Sequence, residues 1–494
     1  MAHLLLLNAV PTDYDNVNFI PYPLLYLKSF LNTGGHSVEI IDFQLGKKKV
    51  KQFKNSLMNK PDILGISIFL GNSVKLGKKA AALCKKISPN TIIVFGGILA
   101  TLNPELILKD TVTDYVISFE GEMTLLQLSD NISKNKKDIN IPNLISRDNL
   151  QSFPGNQRPQ MNLDNLLPIS FEDVADEKYI IEANKYGKRG VSLFTSKGCP
   201  FNCSFCYNTT YNDGKWRSFP VQWVLDTVNK LVKIYNIDVL LIFDDNFFVD
   251  YDRVIKIMEG TKKKGHDIKW WAEIRVDQAL SISIDQYEQL YNLGLRELYI
   301  SPESGSDKTL KLLNKNILVK DTLNLNKLLS KTKVYVTYSL MICVPGESYE
   351  EIMQTIDLSI KLREENNKAS IWGINNYIAY PGTKLFDKAK SNGFKPYDSL
   401  MDLNCRFDYR APKLPWSPIS KTKQEMISIA SKFQKSDKII NSLPFKQRIV
   451  AKIFRFIFEF RLRNRIFFPF FDFWLFKIYF ISREKLFNIK MRIK

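Results

Sequence analysis

Histidine is almost missing from this chain: 494 residues contain only His3, His36 and His266. None stands near a cysteine group, so a zinc knuckle would lack the fourth ligand that a closed structural site wants. Cysteine is scarce as well. The six present are unpaired in spacing and partly clustered, which argues against a disulfide-stapled secreted domain and suits a reducing, cytoplasmic compartment. No basic residue precedes the apolar run Leu4 to Leu7 other than the histidine, and no small-residue cleavage site follows it. It reads as a buried first strand rather than an export signal. In residues 441–494 no charge-free stretch approaches the ~18 residues needed to span a bilayer. What remains, with 45% apolar residues, is a chain long enough for two or three packed domains.

Three of the cysteines stand together in Thr195-Ser-Lys-Gly-Cys-Pro-Phe-Asn-Cys-Ser-Phe-Cys-Tyr207. Cys199, Cys203 and Cys206 offer three thiolates from one short loop. A 4Fe–4S cubane held there keeps one iron without a protein ligand, free to bind a substrate or cofactor. Three ligands make a poor closed zinc site.

Residues 1–150 alternate strands and helices. Leu4 to Asn8, Val38 to Ile41, Ile63 to Ser67, Thr91 to Phe95 and Tyr115 to Ser118 are short apolar runs rich in β-branched residues, separated by helical periodicity such as Val74 to Ile87. This order predicts an α/β fold with a doubly wound parallel sheet, whose ligand crevice lies outside the carboxyl ends of the strands. Gly96 and Gly97 directly follow the fourth strand, and Glu120 and Gly121 follow the fifth. Glycine there permits close backbone approach to a ligand, or simply a tight turn. Residues 151–187 read as a connector with turn chemistry in Pro154 to Pro159 and a solvated acidic face at Glu172, Asp173, Asp176 and Glu177.

A second alternation fills 188–400. Its candidate strands are Val191 to Thr195, Val239 to Phe243, Lys269 to Ile274, Glu297 to Ser301, Val334 to Cys343 and Gly373 to Tyr380, with helices such as Val221 to Tyr235 and Tyr349 to Leu362 between them. Six such units predict a partial (β/α)6 TIM-like barrel, with chemistry at the carboxyl ends of its strands.

The cysteine loop resembles the cluster loop of the radical S-adenosylmethionine (SAM) superfamily. The resemblance extends through Arg217-Ser-Phe-Pro220, Phe243-Asp-Asp-Asn-Phe247, Arg275-Val-Asp277, Pro302-Glu-Ser-Gly305, Val344-Pro-Gly-Glu347 and Tyr380-Pro-Gly-Thr383, in the order found in the branch with an N-terminal cobalamin-binding domain. Pro21 to Leu27, Gly35-His36, Asp62 to Ser67, Gly96-Gly97 and Phe119 to Glu122 look like that flavodoxin-like domain. The resemblance implies three cofactors: a 4Fe–4S cluster on Cys199, Cys203 and Cys206, SAM, and cobalamin. It implies reductive cleavage of SAM, hydrogen abstraction from an unactivated carbon, and methyl delivery from a methylcobalamin recharged by a second SAM. Oxidative cyclisation or ring contraction, as in the anaerobic magnesium-protoporphyrin cyclase and other relatives, is the competing reaction. A non-catalytic corrinoid sensor or carrier is the reading from another class.

By the same resemblance, Phe205 packs near adenine or cluster, and Asp244, Asp245 and Asn246 end the strand that binds the SAM amino group through backbone carbonyls. Arg275 either pairs with the SAM carboxylate, since a guanidinium matches a carboxylate bidentately, or forms a core or surface ion pair, and Glu303 faces the ribose or amino group. Ser67, Gly96, Gly97, Glu120 and Gly121 line the cobalamin crevice. The loop Ala9 to Phe19 has no Asp-x-His-x-x-Gly motif, and Ile98-Leu99 stands where relatives often show Pro-His. The cobalamin is therefore expected without a protein histidine on cobalt. Cys343, at the end of the fifth barrel strand, either faces the cavity or is buried packing. A reducing partner such as flavodoxin or ferredoxin is implied.

The region 401–494 changes character. From residue 441 onward, 13 basic residues face Glu459, Asp472 and Glu484, a balance of +10 out of the chain's +19, and fifteen aromatics are interleaved with them. Basic, aromatic and amphipathic texture points to a membrane interface or an apolar, lipid-like substrate. A cap on the barrel is the plain alternative. Nucleic acid fits less well, because no RNA-binding module accompanies the charge.

Overall fold

The computed structural model describes residues 1–10, 18–69, 71–136, 140–153, 157, 159–181, 186–403, 414–435, 440–441 and 445–467. The middle of the loop Ala9 to Phe19 lies outside them, as do parts of Pro154 to Pro159 and the aromatics beyond Phe467. Described residues 1–181 with 396–403 form one compact unit, and 186–395 with the later described segments form a second.

The first unit is a six-stranded sheet in the order β2-β1-β3-β4-β5-β6. Its strands are β1 (His3–Asn8), β2 (Ser37–Asp42), β3 (Ile63–Ser67), β4 (Ile92–Gly96), β5 (Tyr115–Ile117) and β6 (Leu144–Ile145). The first five are parallel, and β1 is buried nearly throughout, as its unbroken leucines require. The two-residue β6 pairs antiparallel with β5 and was not foreseen. At the carboxyl end of β2, buried Asp42 accepts from Asn8 Nδ2 (3.1 Å), Gln44 N (2.9 Å) and the Tyr179 hydroxyl (2.7 Å). Burial pushes its carboxyl up to about 6. Tyr179 belongs to the stretch expected as a connector. That stretch folds onto this unit through short helical turns, with Phe171 and Tyr179 fully buried.

The second unit is built on six parallel strands in the order β14-β13-β12-β11-β10-β7. In chain order they are β7 (Gly190–Leu193), β10 (Val239–Ile242), β11 (Lys269–Ile274), β12 (Leu295–Glu303), β13 (Tyr335–Ile342) and β14 (Ala369–Asn376). Between β7 and β10 lies an antiparallel pair, β8 (Ser196–Gly198) and β9 (Trp216–Ser218). The helix Val221–Tyr235 buries Val224, Val228, Leu231 and Tyr235 along one face. It ends at Asn236, which takes the left-handed backbone conformation that asparagine tolerates. The helix Tyr349–Glu365 begins at a capping box in which Ser348 and Glu351 satisfy each other's amides. Most of the parallel strands thus hand their carboxyl ends to a loop from which a helix leads on.

Candidate functional site

The three cysteines sit on the loop after β8, at the carboxyl end of the second sheet, and none is in a disulfide. The loop's entry is sterically fixed. Gly198 has φ +82°, and a Cβ there would lie 2.1 Å from the Lys215 carbonyl oxygen. The β8–β9 pairing matches Ser196 with Ser218, Lys197 with Arg217 and Gly198 with Trp216, so the Arg217-Ser-Phe-Pro220 motif clamps the approach to Cys199. Farther along, Ser204 N donates to Leu313 O and Leu385 N donates to Ser204 O, both at 2.9 Å. The Thr210 hydroxyl donates to Gly382 O at 2.7 Å. Backbone from two segments distant in sequence therefore holds the loop from both sides.

Asp245 brackets the same loop: its carboxylate accepts from Gly198 N (3.1 Å) before Cys199 and from the Tyr207 hydroxyl (2.9 Å) after Cys206. Burial, then Asp245 itself, drives the Tyr207 phenol well above its ordinary pKa, so it remains a donor. Neighbouring Asp244 turns the other way. It is fully buried and accepts from Thr195 N, the Thr195 hydroxyl and the Ser196 hydroxyl, each at 2.6 Å. Burial raises its carboxyl to about 6 against those bonds and the nearby Arg253. Its side chain ties β7 to β10 and is not offered to a ligand. Asn246 caps the following turn and donates to Gln278 Oε1 at 2.8 Å.

Of its two expected roles, Arg275 takes the ion pair. Its guanidinium already makes a two-toothed pair with Asp277 (3.0 and 3.2 Å), donates to Lys315 O (2.7 Å), lies 3.5 Å from Cys203 Sγ and stacks 3.7 Å over the Phe201 ring. The donors that carboxylate recognition would use are taken, and what the arrangement delivers is positive charge at a cysteine. Glu303 is buried at φ +72° just after a register shift in β12, and it pairs with buried Lys315 at 2.9 Å. Burial works against the Lys315 ammonium, but Glu303 and Cys203 outweigh it and raise its pKa. Lys315 also lies 5.8 Å from the Phe205 ring centroid. Sequence reasoning missed Lys315 and Arg253. Arg253, on the helix Tyr251–Lys263 just past the Phe243–Phe247 motif, donates to Thr195 O (2.6 Å) and Phe219 O (3.0 Å). Cys343 is fully buried beside the Ser417 hydroxyl (3.3 Å), and burial pushes its thiol up to about 12, so it behaves as packing.

These residues fit an iron–sulfur cluster. As free thiols, Cys199 and Cys206 are pushed upward by burial, the latter to about 12; bound iron removes such protons outright. Among the described residues no three His, Cys, Asp or Glu converge on one ion position. A cubane instead takes one thiolate per iron and needs the sulfurs spread. Two buried cations, Arg275 and Lys315, stand against the anionic charge that thiolates and sulfides bring.

In the first unit, Gly97 has φ +99°, and a Cβ there would lie 2.6 Å from Ile68 O, so the position demands glycine. Gly96 is not so constrained, its nearest neighbour being Ile117 O at 3.9 Å. Ser67 ends β3 beside Gly97, Glu120 accepts from Met161 N at 2.8 Å, and Gly121 begins the helix Glu122–Ser133. All five stand at the carboxyl edge of the sheet. His3 and His36 stand at its other edge, where β1 and β2 begin, and His36 is held by Ala2 N (3.2 Å) and Asp130 (3.0 Å).

Known proteins agree with this arrangement. Residues 16–129 match the B12 binding domain and residues 193–359 match the radical SAM superfamily. An uncharacterized methyltransferase of Pyrococcus horikoshii is 29% identical over 395 residues, 78% of this chain and 81% of that protein. The anaerobic magnesium-protoporphyrin IX monomethyl ester cyclase of Rubrivivax gelatinosus is 24% identical over 403 residues, 77% of this chain and 69% of its own. The solved structure of the radical SAM methyltransferase TsrM from Kitasatospora setae, with cobalamin and a 4Fe–4S cluster bound, superposes with a TM-score of 0.63 at 15% identity. The match covers 81% of each chain and is a likeness of fold. The chain belongs to the cobalamin-binding branch of the radical SAM enzymes, whose cofactors are a 4Fe–4S cluster, SAM and cobalamin.

Proposed function

We propose that this enzyme methylates an unactivated carbon of a small, apolar or natural-product-like substrate. The observation that carries the reading is a belted three-cysteine loop backed by two buried cations, in a chain that also has a B12-binding domain. When bound, cluster, SAM and cobalamin together supply a carbon-centred radical and a methyl donor. The protein's own residues do the rest. Cys199, Cys203 and Cys206 hold the cluster, Asp245 and Tyr207 fix the loop that presents it, and Arg275 and Lys315 balance its charge. Phe205 and Glu303 border the SAM site, and backbone at Asp244 to Asn246 offers carbonyls to its amino group. The domains assigned to these tasks are 1–150 for cobalamin, 151–187 as connector, 188–400 for SAM and the cluster, and 401–494 as the basic aromatic region.

Cobalamin is read as free of a protein histidine on cobalt. Ser67, Gly96, Gly97, Glu120 and Gly121 would form its crevice, while His3 and His36 stand at the opposite edge of that sheet. The paramagnetic resonance spectrum of bound cob(II)alamin is then expected to show no nitrogen splitting from the protein. Such splitting, narrowed on nitrogen-15 labelling of histidine, would refute it.

The enzyme needs a reductant, here a flavodoxin or ferredoxin. We read the enzyme as cytoplasmic, with peripheral contact between its C-terminal region and the inner membrane face. Product mass decides the reaction. Incubation of the anaerobically reconstituted protein with SAM, reductant and a substrate library should give a product heavier by one methylene. Loss of hydrogen without a gained methylene would instead select oxidative ring closure.

A further inference from the structure

The helix Phe445–Arg463 has two apolar faces, and packing uses only one. On that face Phe454 and Phe458 stack on Phe433, with centroids 5.6 and 4.8 Å away, and Phe458 and Leu462 are buried. Two ion pairs fasten it to the helix Tyr349–Glu365: Glu459 to Arg363 at 3.2 Å and Arg463 to Glu364 at 2.6 Å. The other face carries Phe445, Ile449, Ile453, Phe456 and Phe460, exposed by 72, 45, 53, 73 and 52%.

Their spacings of four, four, three and four residues place these five side chains in one stripe about 80° wide, diametrically across from the docked face. A contiguous apolar ridge of this kind marks a partner, because single exposed apolar residues are ordinary but an aligned row is not.

Charge identifies the partner. Lys452 is exposed at the border of the stripe, and the region from 441 onward carries +10 by sequence. The one acid on the helix, Glu459, is spent on Arg363. Among the described residues no helix is long and apolar enough to cross a membrane, so a helix of this composition suits the plane of the interface. We propose that the Phe445–Phe460 stripe seats the protein on an anionic lipid surface, its five apolar side chains at the acyl boundary and the flanking cations at the headgroups. This deepens the peripheral-contact reading of the C-terminal region by naming the face, and it stands independently of methyl transfer.

The test is co-sedimentation of the full-length reconstituted protein with sucrose-loaded vesicles, either phosphatidylcholine alone or with a quarter phosphatidylglycerol. Wild type should bind the anionic vesicles and release as salt rises. The double variant Ile453→Asp with Phe456→Asp should bind them about tenfold or more weakly, since each change removes an inserting side chain and adds a like charge to the lipid's. Uncoupled SAM cleavage should persist, which shows that the variant folds. Undiminished binding by that variant overturns the proposal. Loss of binding only in Phe473→Ser with Trp474→Ser would keep the C-terminal reading and overturn the stripe. No vesicle binding by wild type overturns both. A concentration-dependent dimer abolished by the stripe variant would assign the face to a second copy and likewise overturn the lipid assignment.

Discussion

Cys203→Ala is expected to bring 5′-deoxyadenosine formation down to the level of cluster-free protein and to remove the iron–sulfur absorbance after anaerobic reconstitution. Cys203 is the most buried of the three loop cysteines and the one that Arg275 touches, so the change removes both a ligand and the group that the guanidinium serves. Two remaining thiolates do not hold a cubane. Cys84→Ala and Cys343→Ala provide the controls. Both residues are buried and neither belongs to the loop, so both variants should leave SAM cleavage intact. Full cleavage by Cys203→Ala would refute the ligand assignment.

Asp244→Ala should be the most destabilising single change near the site, at about 3–5 kcal/mol, because it strands three buried donors and a buried arginine at once. The pH dependence separates this mechanism from ordinary cavity formation. The folded carboxyl titrates near 6, above its ordinary value of 3.8, so the folded state binds the extra proton between those values. Its contribution to stability therefore falls as pH rises from about 4 through 6, by on the order of 3 kcal/mol. The gap between wild type and variant in urea unfolding should be wider at pH 5 than at pH 7.5. An equal or reversed gap would show that Asp244 is not held as described.

Much of this was legible because the signals are local. An apolar run with β-branched residues announces a strand, and both parallel sheets followed from counting such runs. The two-residue β6 carries too little sequence to announce itself, and its pairing is set by β5 rather than by its own pattern. Lys315 was invisible for a different reason: it sits in a loop between two helices with no motif around it, and only the chain's return past β12 brings it to Glu303. Asp244 and Asp245 were read as a unit, yet in the loop just past β10 their side chains turn to different partners. One carboxylate fastens two strands and the other fastens the cysteine loop. Arg275 was matched to a carboxylate by chemistry alone, whereas Asp277, two residues on, already occupied its fork.

The outer margin of β14 has a consequence for how this protein can be handled. Ile371 N donates to Gln434 O and Ile374 N to the Ser431 hydroxyl, both at 2.8 Å, so the segment around the helix Lys421–Ser431 acts as a plug along a sheet border that would otherwise accept a strand from another molecule. Excising the barrel at the end of its last strand would bare that border and invite self-association. A shortened form meant for expression should therefore retain the chain through Lys435, even though every cluster ligand lies more than two hundred residues earlier.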